Sequence, residues 1–171
     1  TSLHDKRKEQ THTRFEQLHE RGIVTEFEKE HPTSGYQTDN LAVFSQGETE
    51  IVEQKDGQMS PNFAYKKIGE LLELSREGYD VDRVIFRCDG ITNDNESAVK
   101  RGLAALCYLH DVVVKVEKPN DDADTDMKDT ELAEFSPEDT DEDDLSPLTI
   151  GNLSEAQDAI QQKSNNIEIQ D

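Results

Sequence analysis

Apolar residues follow two different spacings along the first two-thirds of the chain. A spacing of three or four, as between Phe15 and Leu18 or along Ala64, Ile68 and Leu71, predicts helices. Short alternating or continuous apolar runs bounded by Gly, Pro or Asp predict strands. The predicted elements are, in order, a helix over 5–21, a strand over 23–27 that ends before 31–35, strands over 41–44 and 49–53, a helix over 61–77, a strand over 84–86, a helix over 96–109 and a strand over 112–116.

This order, α-β-β-β-α-β-α-β, predicts an α/β fold. An antiparallel hairpin followed by two β-α-β crossovers gives a mixed sheet flanked by helices. The run Val84-Ile85-Phe86 is continuously apolar, which is typical of a strand that is covered on both faces.

The second and third strands are predicted to form a hairpin that gathers charged residues at one end. A three-residue loop over 45–47 fits the chain because Gly47 adopts the positive φ of the last loop position without steric cost. This loop places Asp39 opposite Glu53, with Cβ atoms roughly 5 Å apart. Side chains alternate along a strand, so Lys55 shares the face of Glu53. We therefore expect two acids and an amine at one spot.

Two other interpretations of this hairpin stay open. A two-residue turn at Gln46-Gly47 would pair Asp39 with Gln54 and separate the two acids, although Gln-Gly is a poorer turn than Asn-Gly or Asp-Gly. The charged residues could also form an ordinary solvated hairpin end. Directly opposed carboxylates repel unless a cation or a shared proton lies between them, so the paired arrangement needs one of the two.

Charge divides the chain into two parts. The protein has 171 residues, 18 Lys and Arg against 39 Asp and Glu, and a formal net charge of −21. Residues 1–118 carry −6 of this charge and most of the patterned apolar sequence, whereas 119–171 carry −15. We therefore expect one α/β domain over 1–118 and an acidic, mostly disordered tail over 119–171, because the tail has too little apolar surface to offset its ordering entropy.

The remaining composition limits the class of protein. No secretory signal or apolar stretch long enough to span a bilayer is visible, so we expect a cytoplasmic protein without membrane contact. Cys88 and Cys107 lie within apolar runs and have neither a metal-ligand spacing nor a disulfide framework, which indicates buried thiols.

Asp39 followed by Glu53-Gln54-Lys55 on adjacent strands, within this order of elements, resembles the PD-(D/E)xK (restriction endonuclease-like) nuclease superfamily. The resemblance covers about residues 8–118 and is nearest to RecB-like and resolvase-type nuclease cores; the stretch 83–94 is also similar to the equivalent part of RecB-like nucleases. It implies an endonuclease that depends on Mg²⁺ or Mn²⁺ and hydrolyses phosphodiester bonds of nucleic acid, DNA above all, in restriction, repair or recombination.

The resemblance also implies roles for individual residues. Asp39 and Glu53 would be catalytic metal ligands, with the Gln54 carbonyl oxygen as a third ligand. Such a set suits Mg²⁺, which takes oxygen ligands and keeps several waters. Lys55 would position the attacking water or offset developing negative charge. Glu16, on the first helix, is the candidate for a further catalytic acid near the metal.

The chain departs from the family pattern at several positions. Glu9 and Glu20 are alternatives to Glu16, and for each of them the competing interpretation is a helix-surface acid paired with a lysine or arginine. Thr38 stands where many relatives have proline before the first acid. Gln54 occupies a position that is usually apolar, so its amide must meet either an open face or a polar partner.

Nucleic-acid binding requires local positive charge, because phosphate contacts supply most of the affinity. Three basic clusters are present: 6–8 with Arg14, 66–67, and 100–101. Lys66 and Lys67 are the best-placed candidates, since their helix follows directly from the predicted site; for all three clusters an ordinary solvated helix surface is the competing interpretation.

A second hypothesis is a nonenzymatic interaction protein on a nuclease-like scaffold. Its acidic tail would act as a regulatory or DNA-mimicking segment, or would contact a protein partner or a second copy of the chain. A Toprim-type site fits less well, because the chain lacks the Glu-Gly step and the closely spaced Asp-x-Asp pair that such sites need.

Overall fold

The computed structural model describes residues 2–141, which form an α/β fold around one six-stranded mixed sheet. The elements are α1 (Leu3–Glu20), β1 (Val24–Thr33), β2 (Tyr36–Phe44), β3 (Thr49–Gln54), α2 (Pro61–Arg76), β4 (Val81–Arg87), α3 (Glu96–His110), β5 (Val113–Lys118), a 3₁₀ turn (Asp126–Lys128) and β6 (Thr130–Phe135). In this part of the chain no helix is long and apolar enough to cross a membrane.

Local sequence determines where α1 and α2 begin. The Ser60 hydroxyl accepts a hydrogen bond from the Phe63 amide at 3.4 Å, and Pro61 occupies the first turn of α2, as predicted. Ser2 caps α1 in the same way by accepting from the Asp5 amide at 3.1 Å. Each cap satisfies an amide that has no partner within the helix.

The strands lie in the sheet in chain order, from β1 at one edge to β6 at the other. Antiparallel pairs join β1 to β2 and β2 to β3, and the crossovers through α2 and α3 make β3, β4 and β5 parallel. Helices α2 and α3 pack on one face against Val84 and Phe86, and α1 packs on the other face near Ile85. The prediction that β4 is covered on both faces is confirmed.

The first strand is longer than its pattern predicts. We expected residues 31–35 to end it, but β1 continues through Pro32 to Thr33 and turns only at Ser34-Gly35. Proline lacks an amide hydrogen and is tolerated here because β1 lies at the edge of the sheet.

The sheet also extends beyond the predicted domain limit at residue 118. Strand β6 pairs antiparallel with β5. The prediction of a disordered tail is therefore wrong for this segment. Two buried arginines hold the chain that leads to β6, since Arg7 pairs with Asp121 and Arg87 pairs with Asp129. The rest of the predicted tail, 142–171, lies outside the described residues.

Glu117, on β5, gives the fold a predicted pH dependence. Burial raises its pKa from 4.5 to about 7, with further increases from Asp129 and Asp126. Because the folded pKa exceeds the unfolded one, this group stabilises the fold below about pH 4.5, and that contribution is lost as the pH rises to about 7. Glu117→Gln should therefore raise the free energy of unfolding at pH 8 and have little effect on it at pH 4.5. The expected gain at pH 8 is about 1 kcal/mol, because solvent screens a partly exposed group.

Urea unfolding of wild type and Glu117→Gln at the two pH values measures this difference. The exposed Glu138, changed to Gln, is the control and should give the same small effect at both. An equal change in unfolding free energy for Glu117→Gln at both pH values would contradict the assignment.

Candidate functional site

The β2–β3 hairpin has the predicted three-residue loop. The Phe44 amide donates to the Glu48 carbonyl at 2.7 Å, and Gly47 has a φ of 95°. The register pairs Leu41 with Ile51, as the longer loop requires. The two-residue turn is thereby excluded.

Strand β2 loses its regular alternation at Asp39. Thr38 Oγ1 donates to Glu70 Oε2 on α2 at 3.3 Å, whereas Asn40 Nδ2 donates to the Lys8 carbonyl on α1 at 3.1 Å. Residues two apart in a regular strand share a face, but these two reach helices on opposite faces. Glu30, between the β1 residues that pair with Thr38 and Asn40, has a φ of 60° and marks the same irregularity.

This irregularity turns Asp39 towards the end of β3 and the start of α1. Its Oδ2 accepts a hydrogen bond from the Gln54 amide at 2.9 Å and lies 3.2 Å from His4 Nε2. The residue is 6 % exposed. Asp39 therefore lies on β2 and contacts both β3 and α1. The sequence pattern did not indicate His4 as its neighbour.

Glu53 lies beside Asp39 in a buried cluster of charges. Its Oε1 forms an ion pair with Lys67 Nζ at 2.7 Å. Lys67 also pairs with Glu70 on the next turn of α2. Burial raises the pKa of Glu53 well above 4.5; Lys67 opposes this shift, and the charges of Glu70 and Asp39 add to it. We call Asp39, Glu53 and Glu70 the carboxylate cluster.

Lys55 reaches the same region from the end of β3. Its ammonium lies 5.3 Å from the centre of the Phe63 ring, and Lys67 Nζ lies 5.9 Å from the same ring. The backbone of Lys55 is held on both sides, since its amide donates to the Arg87 carbonyl at 2.7 Å and its carbonyl accepts from Arg7 Nη1 at 3.2 Å. The structure therefore brings Asp39, Glu53 and Lys55 to one end of the sheet.

The side chain of Gln54 points to α1 and has polar partners, which answers the question raised by its unusual position. Its Nε2 donates to Thr11 Oγ1 at 2.9 Å and to Asn40 Oδ1 at 3.2 Å, and its Oε1 accepts from Arg87 Nη1 at 3.0 Å. The side-chain amide of Gln54 is thus hydrogen-bonded on the α1 face of the sheet, whereas Glu53 meets Lys67 of α2 on the other face. Only the main-chain carbonyl of Gln54 remains for the predicted ligand role.

Helix α1 does not bring Glu16 to this site. The helix meets Asp39 at His4, and Glu16 is exposed about 18 Å further along the helix axis, at 1.5 Å per residue. Of the alternatives, Glu20 is one turn further away and also exposed, and Glu9 is exposed and pairs with Lys29. His4 takes the place on α1 that we expected an acid to occupy.

The two lysines predicted to contact phosphate have different surroundings. Lys66 is exposed on α2. Lys67 is 3 % exposed and faces Glu53 and Glu70, so in this structure its ammonium is not available at the surface. This placement corrects the expectation of a paired basic surface at 66–67.

The oxygen donors of the carboxylate cluster suit a hard cation. In this structure the ammonium of Lys67 provides the positive charge beside them. One or two carboxylates with water complete a Mg²⁺ site, and Asp39 and Glu53 provide hard oxygen donors. Burial raises the pKa of Glu53, and a neighbouring positive charge opposes that shift, as Lys67 does here. Within residues 2–141, however, no three His, Cys, Asp or Glu side chains are grouped so as to hold a metal ion without rearrangement.

No protein-family model matches the chain, and no curated protein matches it. A solved structure that resembles it is that of Pyrococcus furiosus SfsA in complex with Ca²⁺, with 16 % sequence identity and a TM-score of 0.41. The similarity covers 71 % of this chain but only 58 % of that protein. We therefore assign function from the residues of this chain.

Proposed function

We propose that this chain is a metal-dependent nuclease that hydrolyses phosphodiester bonds of nucleic acid, with DNA as the preferred substrate. The observation that carries the proposal is the burial of Asp39 and Glu53 side by side, each at most 6 % exposed, with Lys55 at the same end of the sheet. Grouping buried carboxylates costs free energy even where a lysine pairs with one of them, so the arrangement favours a function that uses a cation.

In this proposal Asp39 and Glu53 hold Mg²⁺ or Mn²⁺, and the main-chain carbonyl of Gln54 is a further oxygen ligand. The hydrogen bond from the Gln54 amide and the nearby His4 ring keep the Asp39 carboxylate oriented. A bound divalent ion supplies a water of lowered pKa and stabilises charge on the reacting phosphate. The protein supplies the two carboxylates from adjacent strands of one hairpin, so their backbone positions are set before the ion binds.

Lys55 provides electrostatic stabilisation in the proposed reaction. An ammonium placed beside the scissile phosphate offsets the negative charge that develops in the transition state. The Phe63 ring and the two backbone hydrogen bonds of Lys55 restrict where that ammonium can lie. A lysine ammonium in this position suits an electrostatic role better than that of a general base.

A nonenzymatic interaction protein is the second candidate, and one observation favours it. Lys67 already provides a cation between Glu53 and Glu70, as expected of a scaffold whose charges are satisfied without metal. In that case the acidic segment 142–171 would bind a protein partner or a second copy of the chain. This segment lies outside the described residues.

A cleavage panel distinguishes these functions. Labelled duplex, single-stranded, branched and RNA substrates are incubated with Mg²⁺ or Mn²⁺, with a chelator as control, at low and high salt. The nuclease proposal predicts cleavage that requires the ion and is lost in Asp39→Asn. Absence of cleavage under every condition, or equal cleavage by Asp39→Asn, rejects it. Partner binding that is lost on removal of 142–171 would then support the second candidate.

A further inference from the structure

Lys67 is a buried lysine within the carboxylate cluster. Its side chain is 4 % exposed, and its ammonium lies 2.7 Å from Glu53 Oε1 and also contacts Glu70. The Phe63 ring adds a cation–π contact at 5.9 Å. These contacts explain how the fold tolerates a charge that is costly to remove from water.

The contacts of Lys67 are those of a counter-ion rather than of a surface lysine. Asp39, Glu53 and Glu70 are each at most 6 % exposed, so water screens their mutual repulsion poorly. Lys67 contacts two of the three. Its neighbour Lys66 is exposed and makes no such contacts in the described part of the chain.

We infer that Lys67 is the built-in counter-ion of the site and that a divalent cation binds Glu53 only when the Lys67 ammonium moves away. This inference rests on the proposed function. A divalent ion would lie about 2.0–2.6 Å from a carboxylate oxygen, and the ammonium already lies 2.7 Å from Glu53 Oε1. Two cations on one buried carboxylate repel each other strongly. Lys67 therefore sets the affinity of the site for divalent ions.

The lysine side chain can make this exchange without a change in the helix. Lys67 lies in the second turn of α2, and its ammonium is a compact charge on a flexible four-carbon stem. Rotation about the side-chain bonds moves that charge by several ångströms. Lys55 stays beside Phe63, so the site keeps one ammonium after the other has left.

Calorimetric titration with Mg²⁺ and Mn²⁺, without nucleic acid, tests the inference on the full chain. Lys67→Met removes the charge but keeps much of the side-chain length, and it should bind the ion at least tenfold more tightly than wild type. It should also show a larger rise in melting temperature when the ion is added. Lys100→Met is the matched control: it removes the same charge from an exposed position on α3 and should bind as wild type does.

The outcomes separate this inference from the proposed function. If wild type binds the ion and Lys67→Met binds it equally or more weakly, the inference is overturned while the proposed function stands. If neither protein binds the ion, both are overturned. Binding by Lys67→Met alone is the strongest support. Should Lys67→Met fail to fold, Lys67→Met/Glu70→Gln removes the two opposite charges together and must show the same gain in affinity.

Discussion

Lys55→Met is expected to lower the rate of metal-dependent cleavage by about 10²–10³-fold without weakening binding of the ion. The ammonium of Lys55 lies over the Phe63 ring, which Lys67 also contacts, whereas the ion pair of Glu53 is with Lys67. Its loss therefore removes charge stabilisation from the transition state and leaves the proposed ligands in place. The rate constant under saturating substrate and ion is the quantity to measure.

Lys66→Met is the matched control for this measurement. Lys66 is an exposed lysine on α2, and its proposed contact is with a phosphate. Its loss should weaken nucleic-acid binding and reduce the salt dependence of that binding, with little effect on the saturated rate. A saturated rate that is unchanged in Lys55→Met, or is lowered equally in both variants, would remove Lys55 from the proposed catalytic group.

Arg87→Met is expected to lower the free energy of unfolding by about 3–5 kcal/mol, a large fraction of the stability of a domain of this size. Arg87 is fully buried and pairs with Asp129 at 2.7 Å. Its guanidinium also donates to Thr11 Oγ1 and to the Arg7 carbonyl, each at 2.9 Å, and to Gln54 Oε1 at 3.0 Å. Methionine would leave the buried Asp129 carboxylate and several acceptors without partners.

Urea unfolding at neutral pH measures this loss. Arg76→Met is the control, because the Arg76 side chain is 79 % exposed and its pair with Glu73 is a surface contact, so the change should stay within about 0.5 kcal/mol. The network of Arg87 also joins Gln54 to α1, so loss of this arginine should weaken ion binding as well as folding. Comparable stability of the two variants would contradict the structural role of Arg87.

The part of the site that lies on the hairpin could be predicted from sequence because its geometry is local. Gly47 determines the loop, the loop determines the register, and the register places Asp39 near Glu53. Regular alternation alone does not describe β2, because the strand is irregular at Asp39. The acids still meet, since the irregularity turns Asp39 towards the Gln54 amide.

Strand β6 could not be predicted because long-range contacts stabilise it. Its residues Thr130–Phe135 are mostly exposed and stand within an acidic segment, so neither their spacing nor their composition distinguishes them from a disordered tail. Pairing with β5 and the bond of Arg87 to Asp129 hold the strand, and these partners are distant in sequence. Local patterns contain no information about such contacts.

Two helix residues of the site were not predicted in their roles: His4 was not indicated, and Lys67 was expected at the surface as a phosphate contact. His4 reaches Asp39 only through the packing of α1 on the sheet. Lys67 did leave a signal, because it lies three residues after Ala64 and four before Leu71, on the buried face of α2. A lysine on the apolar stripe of a helix indicates a buried partner, and Glu53 is that partner.

Titration of Mn²⁺ into wild type, Asp39→Asn and Glu53→Gln tests the shared-ion site most directly. Both substitutions keep the size of the side chain and remove its charge, and the two carboxylates lie on adjacent strands of one hairpin. We predict saturable binding to wild type and loss of at least tenfold in affinity in each variant. Three indistinguishable isotherms would contradict a site in which Asp39 and Glu53 hold the same cation.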